Sequence, residues 1–378
     1  MLRTHKVRIY PTKEQAELLE KSFGVARFAW NIALTEWKFE YTQYKSGKQK
    51  YPPNARKLRD KFIKYVKPQC SWISEVSKEV YANAILDLGD AYKNTFELGF
   101  GFPKYKNKKT KNSFTVVTNG KGRLKHIQNR LYIYKFRKSN HLKTAEFPRF
   151  EGEIKRVTIS RKEDKYFASC LYEIDENLCE YKTLNDRVDF VGIDVGSRTL
   201  AHTSSNEEFK LSSTKKLDRR INRLQRKLSR QKRYSNNYEK TKTKLQNAYL
   251  KKTNKRLDDV HKITRYIVEE YKNIAIENLK VSQMIKNKYL SKTISESYYY
   301  EFRRQLEYKV RHLNEQGVDV NIFIVDPRNT SKICNNCGHL NNPKTSKTYR
   351  CKYCRSVVDR DYNASLNIRD RAFKRQNC

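Results

Sequence analysis

Along residues 4–98 one short alternating run is followed by apolar positions at helical spacing. Residues 4–10 (Thr-His-Lys-Val-Arg-Ile-Tyr) alternate polar and apolar and predict a strand. Pro11 and Thr12 open a helix, with Thr12 and Gln15 spaced as a capping box. Leu18, Leu19 and Phe23 form its apolar face, and Gly24 is expected to end it. Val25, Phe28, Ala29, Ile32, Ala33 and Trp37 predict a second helix, and Lys45–Asn54 a loop. Further helices are expected over 55–67 and over Trp72–Leu98, the latter carried by Ile73, Val76, Val80, Ala84, Ile85, Leu88 and Tyr92. The period shortens after Pro103 and a basic loop, Lys104–Lys111. Alternating runs at 113–118, 130–136, 154–161 and 164–173 read as strands of a small antiparallel barrel that takes in the first strand. Residues 1–10 and 104–180 would then form the barrel and 11–103 a helical insertion, with a linker near Asp175–Asp189.

The second half begins with Phe190-Val191-Gly192-Ile193-Asp194-Val195-Gly196-Ser197, a buried-strand pattern broken by one acid. A buried carboxylate is costly unless paired or bound to a metal. Asp194 could start a turn, or belong to a phosphate-binding strand like that of the actin-like ATPases, or hold a cation. Thr199–Ser204 and Glu208–Ser212 predict the next two antiparallel strands. Leu217, Ile221, Leu224 and Leu228 give a helix with a coiled-coil-like seam, and a second helix returns through Leu245, Tyr249, Leu257, Val260, Ile263 and Ile267. Asn273–Leu279 is another buried strand, containing Glu277. A helix near 294–314, a strand Val318–Val325, a cysteine module and a closing helix with Asp361 near its start complete the chain. This order of elements is that of an RNase H-like fold over 188–378, in an α+β multidomain chain. Such a fold gathers Asp194, Glu277 and Asp361 at one sheet edge. Three clustered carboxylates bind hard divalent cations, and two Mg²⁺ can clamp the attacking and leaving oxygens of a phosphodiester. The absence of a later glycine-rich phosphate segment argues against the ATPase.

Eight cysteines are present, four of them in two pairs: Cys334-x-x-Cys337, thirteen intervening residues, then Cys351-x-x-Cys354. This spacing suits a closed tetrahedral zinc site with no open position for chemistry, inserted at 330–358. The others, Cys70, Cys170, Cys179 and Cys378, are scattered, which suits a reducing compartment better than a disulfide framework.

Charge adds the partner. The chain carries 81 Lys+Arg against 41 Asp+Glu, a formal +40, with 26 Tyr and 17 Phe. Such an excess calls for a polyanion, and the aromatics could stack on unpaired bases. Lys215–Arg233 alone holds ten Lys/Arg and one acid, Asp218. No apolar stretch approaches the roughly 20 residues of a membrane span, and the N-terminus lacks a signal-peptide core. A cytoplasmic, nucleoid-associated protein is expected.

Several of these motifs together resemble the TnpB family of transposon-encoded RNA-guided nucleases, relatives of the type V CRISPR effectors. They are Gly192-Ile193-Asp194-Val195-Gly196, Ile276-Glu277-Asn278-Leu279, Thr330-Ser331-x-x-Cys334 and Asp359-Arg360-Asp361-x-Asn363-Ala364. Arg8-Ile9-Tyr10-Pro11-Thr12, Ala26-Arg27-Phe28-Ala29-Trp30-Asn31 and Gly101-Phe102-Pro103-Lys104-Tyr105-Lys106 are similar to it as well, so the resemblance spans about residues 4–373. It implies a RuvC-like nuclease domain with Asp194, Glu277 and Asp361 as magnesium ligands, Asp361 being chosen over Asp359. It implies a zinc ribbon and a wedge-like barrel interrupted by a helical recognition region. Its partners would be a guide RNA from the transposon end and a double-stranded DNA target beside a short recognised motif, with no membrane and a monomeric protein. By analogy Lys78 and Asn83 would read that motif, a structural role for Asn83 being the alternative; the one-sided charge of the 215–233 helix favours Arg220, Arg223 and Arg226 following RNA or heteroduplex phosphates over a merely solvated face. The alternatives are a non-catalytic nucleic-acid-binding regulator of transposition, or a transposase. Ser365 stands where the family often has alanine.

Overall fold

The first strand, β1 (Leu2–Tyr10), alternates outward and inward along its whole length, burying Val7 and Ile9 with Arg3 and His5 on the same face. Thr12 then caps α1 (Lys13–Lys45): its hydroxyl accepts from the Gln15 N–H, and the Gln15 side chain accepts from the Thr12 N–H. The expected break at Gly24 does not occur. One glycine in a helix costs only about 1 kcal/mol, and the buried residues Leu19, Phe23, Ala26, Trp30, Leu34 and Trp37 keep a single helical face across it. The helix α2 (Ala55–Lys61) runs on through a π turn, Phe62–Val66, and a 3₁₀ turn follows at Ser71–Glu75. The long helix α3 (Lys78–Leu98) starts later than the expected Trp72, because Ser77 before it is extended, and it ends at Gly99 in the left-handed region. Trp37 of α1 stacks on Tyr92 of α3 at 4.5 Å.

Strands β2 (Asn112–Val117), β3 (Leu124–Ile127), β4 (Arg130–Ile133), β5 (His141–Thr144), β6 (Glu153–Lys162) and β7 (Lys165–Glu173) join β1 in one antiparallel sheet, ordered β2-β6-β7-β1-β5-β4-β3. The pattern did not reveal β3 and β5, which have four residues each. Edge strand β3 comes back against β6. The structure is a computed structural model describing residues 1–378 except 109–111, 118–123, 134–140, 175–187, 197–198, 288, 290, 343–346 and 377–378. The end of the Lys104–Lys111 loop, the ends of the runs at 113–118 and 130–136, most of the linker near Asp175–Asp189, and Cys179 and Cys378 therefore lie outside the described residues. The chain divides into Met1–Leu178, containing these helices and this sheet, and Cys179–Cys378.

In the second unit β8 (Val188–Asp194), β9 (Ala201–Thr203) and β10 (Glu208–Phe209) form an antiparallel meander. Then come the basic helix α4 (Lys215–Ser229), α5 (Asn236–Glu270) and β11 (Tyr271–Glu277), which lies parallel to β8. The short helices α6 (Val281–Met284) and α7 (Ser291–Ser297) precede α8 (Tyr299–Asn314). The single helix expected over 294–314 is thus interrupted, since Tyr298 takes φ 59°, outside the helical region. The strand β12 (Asn321–Val325) adds in parallel to β11, giving the order β10-β9-β8-β11-β12. Finally the hairpin β13 (Thr348–Arg350) and β14 (Val357–Asp359) leads directly into α9 (Arg360–Gln376).

Both faces of this sheet are covered, and strand alternation decides which residue goes where. Val191, Ile193, Ile274 and Ile276 face a core with Val260 and Ile267 of α5 and Phe302, Leu306 and Val310 of α8. On the other face Ala275 and Val325 meet Ile368 and Ala372 of α9, with Phe190 and Phe323 alongside.

Candidate active site

Asp194 and Glu277 lie in step with Phe190 and Ala275 respectively, so alternation sends both to the α9 face. Ile193 pairs with Ile276, which leaves Asp194 and Glu277 as the next residues on neighbouring parallel strands. The third acid arrives because α9 lies directly on β8. A Cβ at Gly192 would sit 2.1 Å from the Ser365 carbonyl oxygen and 2.5 Å from the Arg369 nitrogen. Only glycine admits this approach, and it brings the first turn of α9, with Asp361, to the end of β8.

Electrostatics report the same juxtaposition. Burial pushes the Asp194 carboxyl well above the usual carboxylate range, and Glu277 and Asp361 push it further, against Arg360 and the Val195 N–H. Burial also raises Glu277, against the hydrogen bond from Thr330. The buried phenol of Tyr299, first residue of α8 after the kink at Tyr298, is raised by burial and by all three carboxylates. Crowded, partly desolvated carboxylates of this kind take up protons or divalent cations readily, which is the chemistry a metal ligand set needs. Arg360 donates to Asp361 Oδ1 at 3.2 and 3.3 Å. Asp359 is employed elsewhere: its Oδ1 accepts from the N–H groups of Asp361 and Tyr362, at 2.8 and 3.2 Å, capping α9. Beside Glu277 opens a cavity of about 450 Å³ lined by Lys280, Tyr299, Tyr300 and Arg303 among others.

The four cysteines of the ribbon converge. Their sulfurs all lie within 4.8 Å of one another, the one such group of possible metal ligands among the described residues. Cys334 and Cys354, and Cys337 and Cys351, have Sγ atoms 3.6 Å apart; tetrahedral coordination at the zinc–sulfur distance needs about 3.8 Å. Hydrogen bonding to Ser356 and Asn336 holds the Cys354 thiol down, to about 5, and Asn341 Nδ2 lies 3.4 Å from Cys351 Sγ. Buried Tyr349 supports the hairpin.

The charged candidates divide. Arg220, Arg223 and Arg226 project from the exposed side of α4, while Ile221 and Leu224 pack against Ala248 of α5. Lys78 is exposed at the start of α3. Asn83, expected either to read DNA or to serve the fold, turns inward: it is buried, and its Nδ2 donates to the carbonyls of Glu79 and Thr115 at 2.8 and 3.2 Å. It joins α3 to β2.

Sequence reasoning missed the polar clamp between ribbon and α9. Asn363 Nδ2 and Asn367 Nδ2 each donate to the Ile333 carbonyl at 2.8 Å, and the Asn335 N–H donates to Asn363 Oδ1 at 3.0 Å. The four-residue spacing of Asn363 and Asn367 puts both on one helical face, the one signal that could have exposed it.

Three family models match successive parts of the chain: a probable transposase family, OrfB_IS605, over residues 169–288, a helix-turn-helix domain over 1–46, and a Cas12f1-like TNB domain over 299–368. Residues 1–46 fold here as β1 and one uninterrupted helix, without the turn that the second description names. The "Putative RNA-guided DNA endonuclease InsQ" of Escherichia coli (strain K12) is 27% identical over 97% of this chain and 91% of that protein. A "Putative RNA-guided DNA endonuclease" of Streptomyces pristinaespiralis is 29% identical over 97% and 88%. Among solved structures, the Cas12f1 chain of a Cas12f1-sgRNA-target DNA complex superposes with a TM-score of 0.56 at 15% identity, covering 97% of this chain and 98% of that one. From end to end the chain is thus similar to proteins of the TnpB family, and it shares the fold of that Cas12f1 chain.

Proposed function

We propose that this chain is an RNA-guided DNA endonuclease of a mobile element, using a guide RNA derived from the transposon end to cut duplex DNA beside a short recognised motif. The observation that carries this reading is the gathering of Asp194, Glu277 and Asp361 at one sheet edge, in a chain whose full-length relatives bear that name. The carboxylates would hold Mg²⁺, which when bound supplies Lewis-acid stabilisation of the phosphodiester and an activated water. The residues of the chain orient that centre: Asp194 and Glu277 from adjoining strands, Asp361 from α9, and Arg360 partly balancing their charge. The neighbouring cavity, with Lys280, Tyr299 and Tyr300 in its wall, offers room for a substrate strand. Guide pairing would supply sequence recognition, the protein holding the heteroduplex by its backbone. The curled sheet of the first unit is read as a wedge-like barrel and α1–α3 as the recognition region, with Lys78 near the target-adjacent motif. The test is cleavage of a matched duplex by purified protein with its co-purifying RNA and Mg²⁺. A matched duplex left intact, or cut equally without guide, would overturn the reading.

The exposed arginines of α4 are assigned to RNA or heteroduplex phosphates. Arg220, Arg223 and Arg226 changed together to Glu should weaken RNA retention roughly tenfold or more at moderate salt and make its salt dependence shallower, because fewer counterions are released. Filter binding across a salt titration measures both, and unchanged curves would remove α4 from the interface.

The four-cysteine site is assigned a structural zinc. Elemental analysis should find about one zinc per chain, falling to near none in Cys334→Ser or Cys351→Ser. Those variants should also melt earlier, since metal affinity contributes folding energy. Wild-type protein free of zinc would refute the assignment.

A further inference from the structure

Resting on the reading of the three carboxylates as metal ligands, we infer that Thr330 is a positioning residue that fixes the Glu277 carboxylate and links it to the ribbon. Thr330 is 2% exposed. Its hydroxyl donates to Glu277 Oε1 at 2.5 Å; the Pro327 carbonyl, at 3.1 Å, is the more distant acceptor. A hydroxyl has one proton, so the shorter contact claims it. The bond occupies one carboxylate oxygen, holds the side chain in one rotamer and leaves the other oxygen for a cation.

Thr330 is itself held. Its carbonyl accepts from Asn367 Nδ2 at 2.8 Å. Three residues on, the Ile333 carbonyl takes both Asn363 and Asn367, each at 2.8 Å. Asn335, just beyond Cys334, donates through its side chain to Asn367 at 3.3 Å and to Asp370 at 2.7 Å. The segment 330–335 is therefore fastened along the face of α9, the helix whose first turn carries Asp361. Two carboxylates from distant parts of the chain are thus referred to one short segment that also supplies a ribbon cysteine. Hydrogen-bond partners of metal ligands set ligand orientation, and their loss costs about 10–100-fold in metal affinity or activity.

The experiment compares wild type, Thr330→Val, Thr330→Ser and Glu277→Ala as RNA-bound proteins. Mn²⁺ binding is followed by electron paramagnetic resonance of free Mn²⁺, and cleavage is measured against Mg²⁺ concentration. Thr330→Val keeps the shape and removes the donor. It should retain zinc, RNA and melting temperature, yet need roughly tenfold more Mn²⁺ for half-saturation, with cleavage recovering as Mg²⁺ is raised. Thr330→Ser should restore near wild-type affinity. The inference is overturned if Thr330→Val binds Mn²⁺ as wild type does while Glu277→Ala does not. It is overturned equally if the loss in Thr330→Val comes with lost zinc or earlier melting, or if Thr330→Ser is as impaired as Val. Wild-type Mn²⁺ binding and cleavage in Glu277→Ala would instead refute the underlying assignment of the carboxylates.

Discussion

Purified Asp194→Ala protein should keep its RNA and bind a matched duplex, yet cut it roughly a thousandfold more slowly than wild type, or worse. Asp194 lies at the centre of the crowded set, feeling both Glu277 and Asp361. A cation held among three such groups depends on each for its position. Glu277→Ala and Asp361→Ala should therefore be as damaging, and the double variants no worse than the singles. Asp359→Ala makes the contrast. It should lose a helix cap worth about 1 kcal/mol, and cutting should persist, because that carboxylate is spent on the N–H groups of Asp361 and Tyr362. Asp194→Asn controls for folding: with divalent metal chelated it should melt no lower than wild type, since it removes one of three crowded negative charges. Guided cleavage assays with each variant decide the matter. Full activity in Asp194→Ala would exclude the nuclease mechanism and favour the binding regulator, and full activity in Asp361→Ala alone would transfer the third ligand to Asp359.

Adding one methyl group at Gly192 should be nearly as severe. It would meet main-chain atoms of Ser365 and Arg369, which no rotamer change can move aside. Nor can β8 retreat easily, because the Gly192 N–H donates to Ser204 Oγ at 3.0 Å and its carbonyl accepts from the Ser204 N–H at 2.8 Å. Helix α9 must tilt outward, carrying Asp361 with it. Overpacking of this kind costs about 1–3 kcal/mol or more, and a displacement near 1 Å at a catalytic group can cost about a hundredfold in rate. Gly192→Ala should thus lower the melting temperature by several degrees and cleavage by roughly a hundredfold or more. Ser365→Ala, which loses a hydroxyl bonded to the Tyr362 carbonyl, should be mild alone and should not rescue Gly192→Ala, since the clash is with main chain. Wild-type cleavage by Gly192→Ala would show that α9 can move without disturbing the site.

Regular spacing in the sequence announced much of this. Alternation located β1, short apolar runs located β8 and β11, and the order of elements implied that Asp194 and Glu277 would share one sheet edge. Thr12 and Gln15 announced the start of α1, and the cysteine pairs announced a tight four-sulfur cluster. Features set by contacts between distant segments were hidden. Gly24 reads locally as a stop, but the apolar face on either side of it spans the gap. Asn83 reads equally as a DNA contact or a structural amide, and what decides it is Thr115, in a strand 32 residues further along the chain, whose carbonyl takes its proton. Thr330 stood in plain view as part of a motif, but its hydroxyl points back to a strand more than fifty residues earlier. Nothing in local periodicity marks such a partner.

The place of β1 inside its sheet has a consequence for synthesis. The ribosome releases this strand well before its neighbour β7, which pairs Leu2 with Glu173 and Ile9 with Tyr166, and neither partner exists until most of the first unit has emerged. At about 5–20 residues per second that is a wait of roughly ten to thirty seconds. Meanwhile α1 and α3 can pack on each other through Trp37 and Tyr92, whereas Val7 and Ile9 have no sheet to enter. The outward face of the waiting strand carries Thr4, Lys6 and Arg8. Charges on an unpaired strand discourage edge-to-edge joining with another chain, so the same residues that end on the surface of the folded protein would keep neighbouring nascent copies apart until β7 arrives.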